Sequence, residues 1–325
     1  MRLLDSVAQA SGPVIVDLPG SGRYLLPGAA ARAEALADCP ERYVLGDDVR
    51  TTCGEIVRRW PALLDPADPH LRIGSGRLWI EWAQPDAAVM AAPTAQPCGL
   101  LATIDGSGRS GCVESFWLDP VHGVDRGQGQ IEFDLDQPIA RRIDDRRTFA
   151  LPAAGPLAAL APHALFRVDP GWLDYFQAPA NARMPVPVAV AQCMRTVWRD
   201  LPLLLAFSRL LAARPDFRAQ PISRERLNAA RARQGKPALL DHVELSLQIG
   251  APAVDASRIG GGRRDARLHL VRGHIVNRGG RLFWRSAHLR GRADLPLVRT
   301  RTATVSLNPR FATYGAHAPA PDPRK

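Results

Sequence analysis

Lysine is almost missing from this chain: Lys236 and Lys325 are the only two among 42 Lys and Arg residues. The glycine-rich run Ile259-Gly260-Gly261-Gly262-Arg263-Arg264 therefore lacks the Lys-Ser/Thr of a P-loop and reads as a basic loop. Cysteine is scarce as well. Cys39, Cys53, Cys98, Cys112 and Cys193 are odd in number, widely spaced and form no Cys-x-x-Cys. That pattern argues against a disulfide framework or a zinc knuckle, and for small buried hydrophobes in a reducing cytoplasm. No window approaches the roughly 18 uninterrupted apolar residues of a membrane span. The most apolar stretch, Met184 to Leu211, is broken by Arg195, Arg199 and Asp200 and contains Pro202, so it is expected to be buried helix, with no membrane partner. The N-terminal segment carries an early Asp5 and no long apolar core, a poor export signal. Metal-ligand spacing, Gly-x-Ser-x-Gly, kinase and dinucleotide-binding signatures are all missing, so neither a metal nor a cofactor is expected.

What is present is positive charge in one place. From Pro215 onward there are 21 Lys and Arg against 8 Asp and Glu, an excess of 13, whereas the net charge of the whole chain is +10. The first two-thirds are thus slightly acidic. Abundant Ala, Arg, Pro and Gly point to a GC-rich genome, which accounts for arginine over lysine but not for its uneven placement. Such asymmetry suggests a nucleic acid or an acidic protein surface as partner.

The order of elements predicts an α+β protein of antiparallel sheets with packed helices, in two lobes. Residues 1–150 form the first. A short strand is expected over Pro13 to Asp17, and helices over Pro27 to Asp38 and Asp48 to Trp60, the latter with Val49, Cys53, Ile56, Val57 and Trp60 as one apolar stripe. Strands follow at Arg77 to Trp82, Gly99 to Ile104 and Cys112 to Leu118, the last two joined by the turn Asp105-Gly106-Ser107-Gly108, and another at Gln130 to Asp136. Glu81, Glu114, Glu132 and Asp134 read as outward-facing polar positions, and Trp79, Trp82 and Trp117 as core or sheet-face anchors. Residues 151–185 are Pro- and Ala-rich and read as a loose connection. Residues 186–315 hold helices over Pro187 to Leu211, with Asp200 as a cap, a helix from Ser223 to Gln234 stopped by Gly235, and a basic antiparallel sheet beginning at His242 to Ile249. The tail 316–325 is expected to be disordered.

One constellation carries chemistry. Strands Ala266 to Val276 and Arg281 to Leu289 form a hairpin; a turn on Arg278-Gly279 would set His274 opposite Phe283, Arg272 opposite Arg285 and His269 opposite His288. Arg263, Arg264, Arg272, Arg285, Arg290 and the helical Arg231 could hold phosphates, with Trp284 stacking on an unpaired base. Alternatively His269, His274 and His288 could act as acid and base in metal-independent RNA cleavage, the arginines stabilising the phosphorane. A third reading makes these residues structural, in an assembly protein whose arginines bind other proteins.

Along the same residues the chain resembles a phage- and prophage-type family of high-GC proteobacteria. The similar stretches are Leu78-Trp79-Ile80-Glu81-Trp82, then Leu227-Asn228 through Arg231, Gly235-Lys236-Pro237 and His242, and finally His269-Leu270-Val271-Arg272-Gly273-His274 followed by His288-Leu289-Arg290-Gly291. The resemblance implies a mobile-element setting and brings no activity with it. The leading expectation is a non-enzymatic protein whose basic C-terminal module binds nucleic acid or an acidic protein.

Overall fold

A strand covered on both faces reads as a nearly continuous apolar run, and Leu78-Trp79-Ile80-Glu81-Trp82 is such a run. The computed structural model describes residues 2–84, 96–119, 123–139, 145–153, 157–181, 184–213, 217–247, 269–271, 274–278, 281–285 and 288–290. Its strands β1 (Val14–Leu18) and β2 (Gly22–Leu26) pair as a separate hairpin. The strands β3 (Glu41–Leu45), β4 (Gly76–Gln84), β5 (Gln96–Ile104), β6 (Ser110–Asp119), β7 (Gly123–Asp134), β8 (Thr148–Ala150), β9 (Ala164–Val168), β10 (Phe217–Ile222) and β11 (His242–Leu247) build one sheet, ordered β10-β11-β3-β4-β5-β6-β7-β9-β8. The fold class is α+β, as expected, but the large sheet is mixed: β3 runs parallel to both β4 and β11.

Helices cover both faces. On one side α3 (Asp47–Arg59), α5 (Val186–Val197) and α6 (Asp200–Ala212) bury Val49, Cys53, Ile56, Val190, Leu204 and Phe207 against Leu78, Ile80, Trp82 and Leu100. On the other, α1 (Leu3–Ala8) and α2 (Ala33–Ala37) pack Leu3, Leu4, Val7 and Leu36 on Trp79, Leu101 and Phe116. This second layer overturns the expectation for two carboxylates. Glu81 and Glu114 are buried, because the face they share is not solvated. Glu81 accepts the backbone N–H groups of Leu3 (3.1 Å) and Leu4 (2.9 Å), and burial still pushes its carboxyl above the usual range.

Two further expectations are corrected. The connection over 151–185 contains β9, inside the sheet, and α4 (Pro170–Gln177), which packs on β2; its apolar Ala164, Leu165, Phe166 and Val168 are core, and only their proline-rich surroundings suggested a loop. And β11, from the C-terminal third, lies beside β3 from the N-terminal part, with Leu245 opposite Leu45. The last helix, α7 (Glu225–Arg233), has no buried residue and ends at Gly235, φ +64°, where the sequence placed its stop.

The β5–β6 turn also follows the sequence. Asp105 Oδ1 accepts the N–H groups of Ser107 (3.1 Å) and Gly108 (3.0 Å), and the Ser107 hydroxyl holds its carboxyl at about 2. Gly108 has φ +72°, and a Cβ there would stand 2.3 Å from the Ile73 carbonyl oxygen. Gly108→Ala is therefore expected to cost about 2–3 kcal/mol in a urea unfolding titration, combining left-handed backbone strain with a contact that cannot relax without moving backbone.

Candidate anion-binding cleft

Only Trp198 and Arg199 separate α5 from α6. Their junction overhangs the ends of β4, β5 and β6, with α3 alongside, leaving a cleft of about 800 Å³. That volume is within the roughly 300–1,000 Å³ of small-molecule sites. A straight cross-strand row supplies its floor: Trp82 opposite Cys98, and Cys98 opposite Trp117. Gln84, Gln96 and Ser115 lie beside this row. The β6–β7 register slips between Glu114 and Phe116, so Ser115 stands at a bulge, an irregularity that re-aims side chains at sites. Arg195, Trp198, Arg199 and Asp200 come from the helix junction and Arg50 from α3.

Its charge is unusual for this molecule. Elsewhere in the described residues, the arginines nearest the core are engaged. Arg109 bonds Asp136 and four backbone carbonyls; Arg126 bonds Glu114 and Asp169; Arg167 bonds Glu132 and Asp145; Arg209 bonds Asp68 and the Leu63 carbonyl. The guanidinium groups of Arg50, Arg195 and Arg199 form no hydrogen bond or ion pair among the described residues, and Arg50 Nε is buried without a partner. Among the described residues the one acidic residue lining the cleft is Asp200, 8 % exposed. Burial pushes its carboxyl up to about 7, and the Ser115 hydroxyl and the Arg199 charge pull it back only in part. Ser115 Oγ is itself buried and closes no hydrogen bond of regular geometry. Among the described residues the cleft thus sets three guanidinium groups without an ion-pair partner around one carboxyl that titrates at about 7.

Asp200 is the first residue of α6 and makes no capping bond; Arg199 occupies the cap position expected for it. Burial, then the Asp200 charge, pushes the Cys98 thiol up to about 12, and burial alone pushes Cys193 up to about 11. Thiols so poorly ionised are not nucleophiles. Among the described residues no group of three or more His, Cys, Asp or Glu could hold a metal ion.

The site residues read from the sequence lie elsewhere. In the C-terminal part, β12 (His269–Val271) pairs with β15 (His288–Arg290), and β13 (His274–Arg278) with β14 (Arg281–Arg285). The register differs by two residues from the one expected. His269 stands opposite Arg290, Val271 opposite His288, His274 opposite Arg285 and Ile275 opposite Trp284. Arg278 opposes Arg281, which leaves Gly279-Gly280 between the strands. His269 and His288 are therefore not directly opposed. Phe283 and Arg285 are exposed. Arg231 Nε donates to the Pro237 carbonyl (2.8 Å), closing the end of α7. Arg263, Arg264 and Arg272 lie outside the described residues.

One geometric link joins the two regions. Leu247, where the described part of β11 ends, donates its N–H to Asp48 Oδ2 (2.7 Å), and Arg50 of the cleft follows two residues later. Leu247 thus stands at the end of the sheet at which the cleft opens. Comparison with protein-family models, curated proteins and solved structures returns no match.

The cleft was hidden by a correct generalisation. Trp82 and Trp117 do anchor the sheet, yet half-buried Trp117 and Trp198 also line the cleft. The available signal was Arg195, Trp198, Arg199 and Asp200, four polar or amphipathic residues within the most apolar helical stretch of the chain.

Proposed function

We propose that the protein binds single-stranded nucleic acid without processing it, holding one unstacked nucleotide in the cleft while the basic C-terminal third follows the backbone. The observation that carries this reading is the company of Arg50, Arg195 and Arg199, unpaired, with Trp82, Trp117 and Trp198 around one cavity. Unpaired guanidinium groups attract phosphate and accept it in a forked geometry. Indole faces offer stacking of about 1–3 kcal/mol per base without demanding a sequence. Arg226 and Arg233 of α7 are exposed and add cationic surface for a phosphate backbone. A mobile-element setting, implied by the resemblance, suits a single-strand binder.

The test is anisotropy of labelled single-stranded DNA and RNA titrated with the full-length protein across salt concentrations. Log affinity is expected to fall linearly with log salt, with a slope of about −2 or steeper, since three contacts on a single strand give roughly −0.7 each. Replacing Arg195 and Arg199 together by Ala is expected to weaken binding at least tenfold and to flatten the slope by about 1.4. Absence of binding at low salt, or a slope that does not change in the double variant, would overturn the reading. Capture of an acidic protein with no nucleic-acid shift would do so too.

A further inference from the structure

The arginines and the acid of the cleft divide it by depth. Arg195 and Arg199 are exposed on the helix junction and Arg50 is half-buried on α3, so a phosphate meets them at the rim. Asp200 is buried beside the sheet floor with Trp82, Trp117, Ser115 and Cys98. A nucleotide entering base-first therefore places its base edge, not its phosphate, against Asp200. Among the described residues Asp200 has no cationic partner in an ion pair and no capping bond; the Ser115 hydroxyl is the polar group nearest to it, which leaves its second oxygen to a ligand.

We propose that Asp200 is the base-reading residue of the cleft: as a carboxylic acid it donates its O–H to the ring nitrogen of an amino-bearing base, adenine or cytosine, and accepts the adjacent exocyclic amine on its other oxygen. This rests on the single-strand reading above and names its preferred ligand class. The complementarity is that of one donor beside one acceptor on each partner. Ring nitrogens of adenine and cytosine are stronger acceptors than the carbonyl oxygens of thymine or uracil, so the acid's proton favours the amino-bearing pair. The ionised carboxylate loses the donor and sets its lone pairs against those ring nitrogens, which penalises the same bases. A carboxylic acid kept neutral by an apolar enclosure, so that it can donate a hydrogen bond, is a known device. The groups that act on Asp200 are Arg199 from the helix junction, Cys98 from β5 and Ser115 from β6, while Arg50 from α3 and Arg195 from α5 line the same cleft. Burial outweighs the nearby Arg199 charge and raises the carboxyl's titration to about 7.

The experiment measures affinity for short oligo-dA, oligo-dC and oligo-dT at fixed ionic strength, at about pH 6 and about pH 8.5, for the full-length protein and for Asp200→Asn. Binding that requires a protonated group weakens about tenfold for each pH unit above that group's pKa. Oligo-dA and oligo-dC are expected to bind at least fivefold tighter than oligo-dT at the lower pH, and at least tenfold weaker at the higher. Asp200→Asn, whose amide keeps a donor beside an acceptor, is expected to bind oligo-dA and oligo-dC at both pH values with the affinity the unaltered protein shows at the lower one. Binding of all three strands with equal affinity, or an equal pH-dependent loss in Asp200→Asn, overturns the role of Asp200 and leaves single-strand binding standing. Failure to bind any strand at either pH overturns both.

Discussion

Asp200→Asn is expected to stabilise the protein by about 4 kcal/mol above pH 8 and to change it little below pH 4, as measured by chemical denaturation across pH. The sign follows from the direction of the shift. In the unfolded chain an aspartate titrates near 3.8; in the fold, burial holds Asp200 up to about 7. Below the unfolded value both states keep the proton and Asp200 costs nothing. Between the two values the unfolded carboxyl ionises while the folded one does not, so stability falls by about 1.4 kcal/mol per pH unit. Above about 7 both are ionised and the loss is constant. Asparagine has nearly the same shape and cannot ionise, so it removes the pH-dependent cost. A denaturation curve that shows no gain at the higher pH would mean that Arg199 and the first turn of α6 stabilise the carboxylate. The buried acid would then be the paired ion that its setting denies. The same substitution tests function and stability by separate readouts: it strengthens the fold at high pH and rescues the binding of amino-bearing bases there. A group retained at such a cost to stability, in a cleft, is where function is expected.

Most of the fold was legible because local patterns agreed with what packing required. The stripe Val49, Cys53, Ile56 is the buried face of α3, and Asp105 with Gly108 makes the β5–β6 turn. What failed failed for a common reason: periodicity reports how a segment is covered, not by what. Glu81 and Glu114 alternate with apolar residues as solvent-facing positions do, but α1, α2 and Arg32 cover that face. The parallel pairing of β11 with β3 joins residues about 200 positions apart, and no local signal specifies such a neighbour. The hairpin register turned on one choice, Arg278-Gly279 or Gly279-Gly280, and the wrong choice moved every cross-strand pair by two. For the cleft, the charge census located an excess in the C-terminal third. It could not see that arginines of the less basic part are sorted by folding into engaged and free. That sorting, more than the total, defines the candidate site.

The engaged set makes the opposite prediction. Arg126 is 4 % exposed and Glu114 is buried beside it; Glu114 also takes Arg32 (Nε at 2.6 Å), and the other end of Arg126 bonds Asp169, which precedes α4. Four charged groups thereby tie β6, β7, the segment before α2 and the start of α4 together. Taking such charges out of water is costly, and their mutual attraction offsets the cost only while the set is complete. Arg126→Met is expected to destabilise the protein by about 3–5 kcal/mol, because it leaves Asp169 without its cation and Glu114 with Arg32 alone. Glu114→Leu alone should cost a similar amount, since Arg126 would then keep only Asp169. The double variant Arg126→Met, Glu114→Leu is expected to lose several kcal/mol less than the sum of the two, the signature of groups whose main role is to neutralise each other. Strict additivity in that cycle, read from urea midpoints at constant slope, would show that β6 and β7 are held by their apolar neighbours and that the network is incidental. Neither substitution touches the cleft arginines. Nucleic-acid affinity should therefore survive in whatever fraction remains folded, and its loss would connect the network to the bulge at Ser115 that shapes the cleft floor.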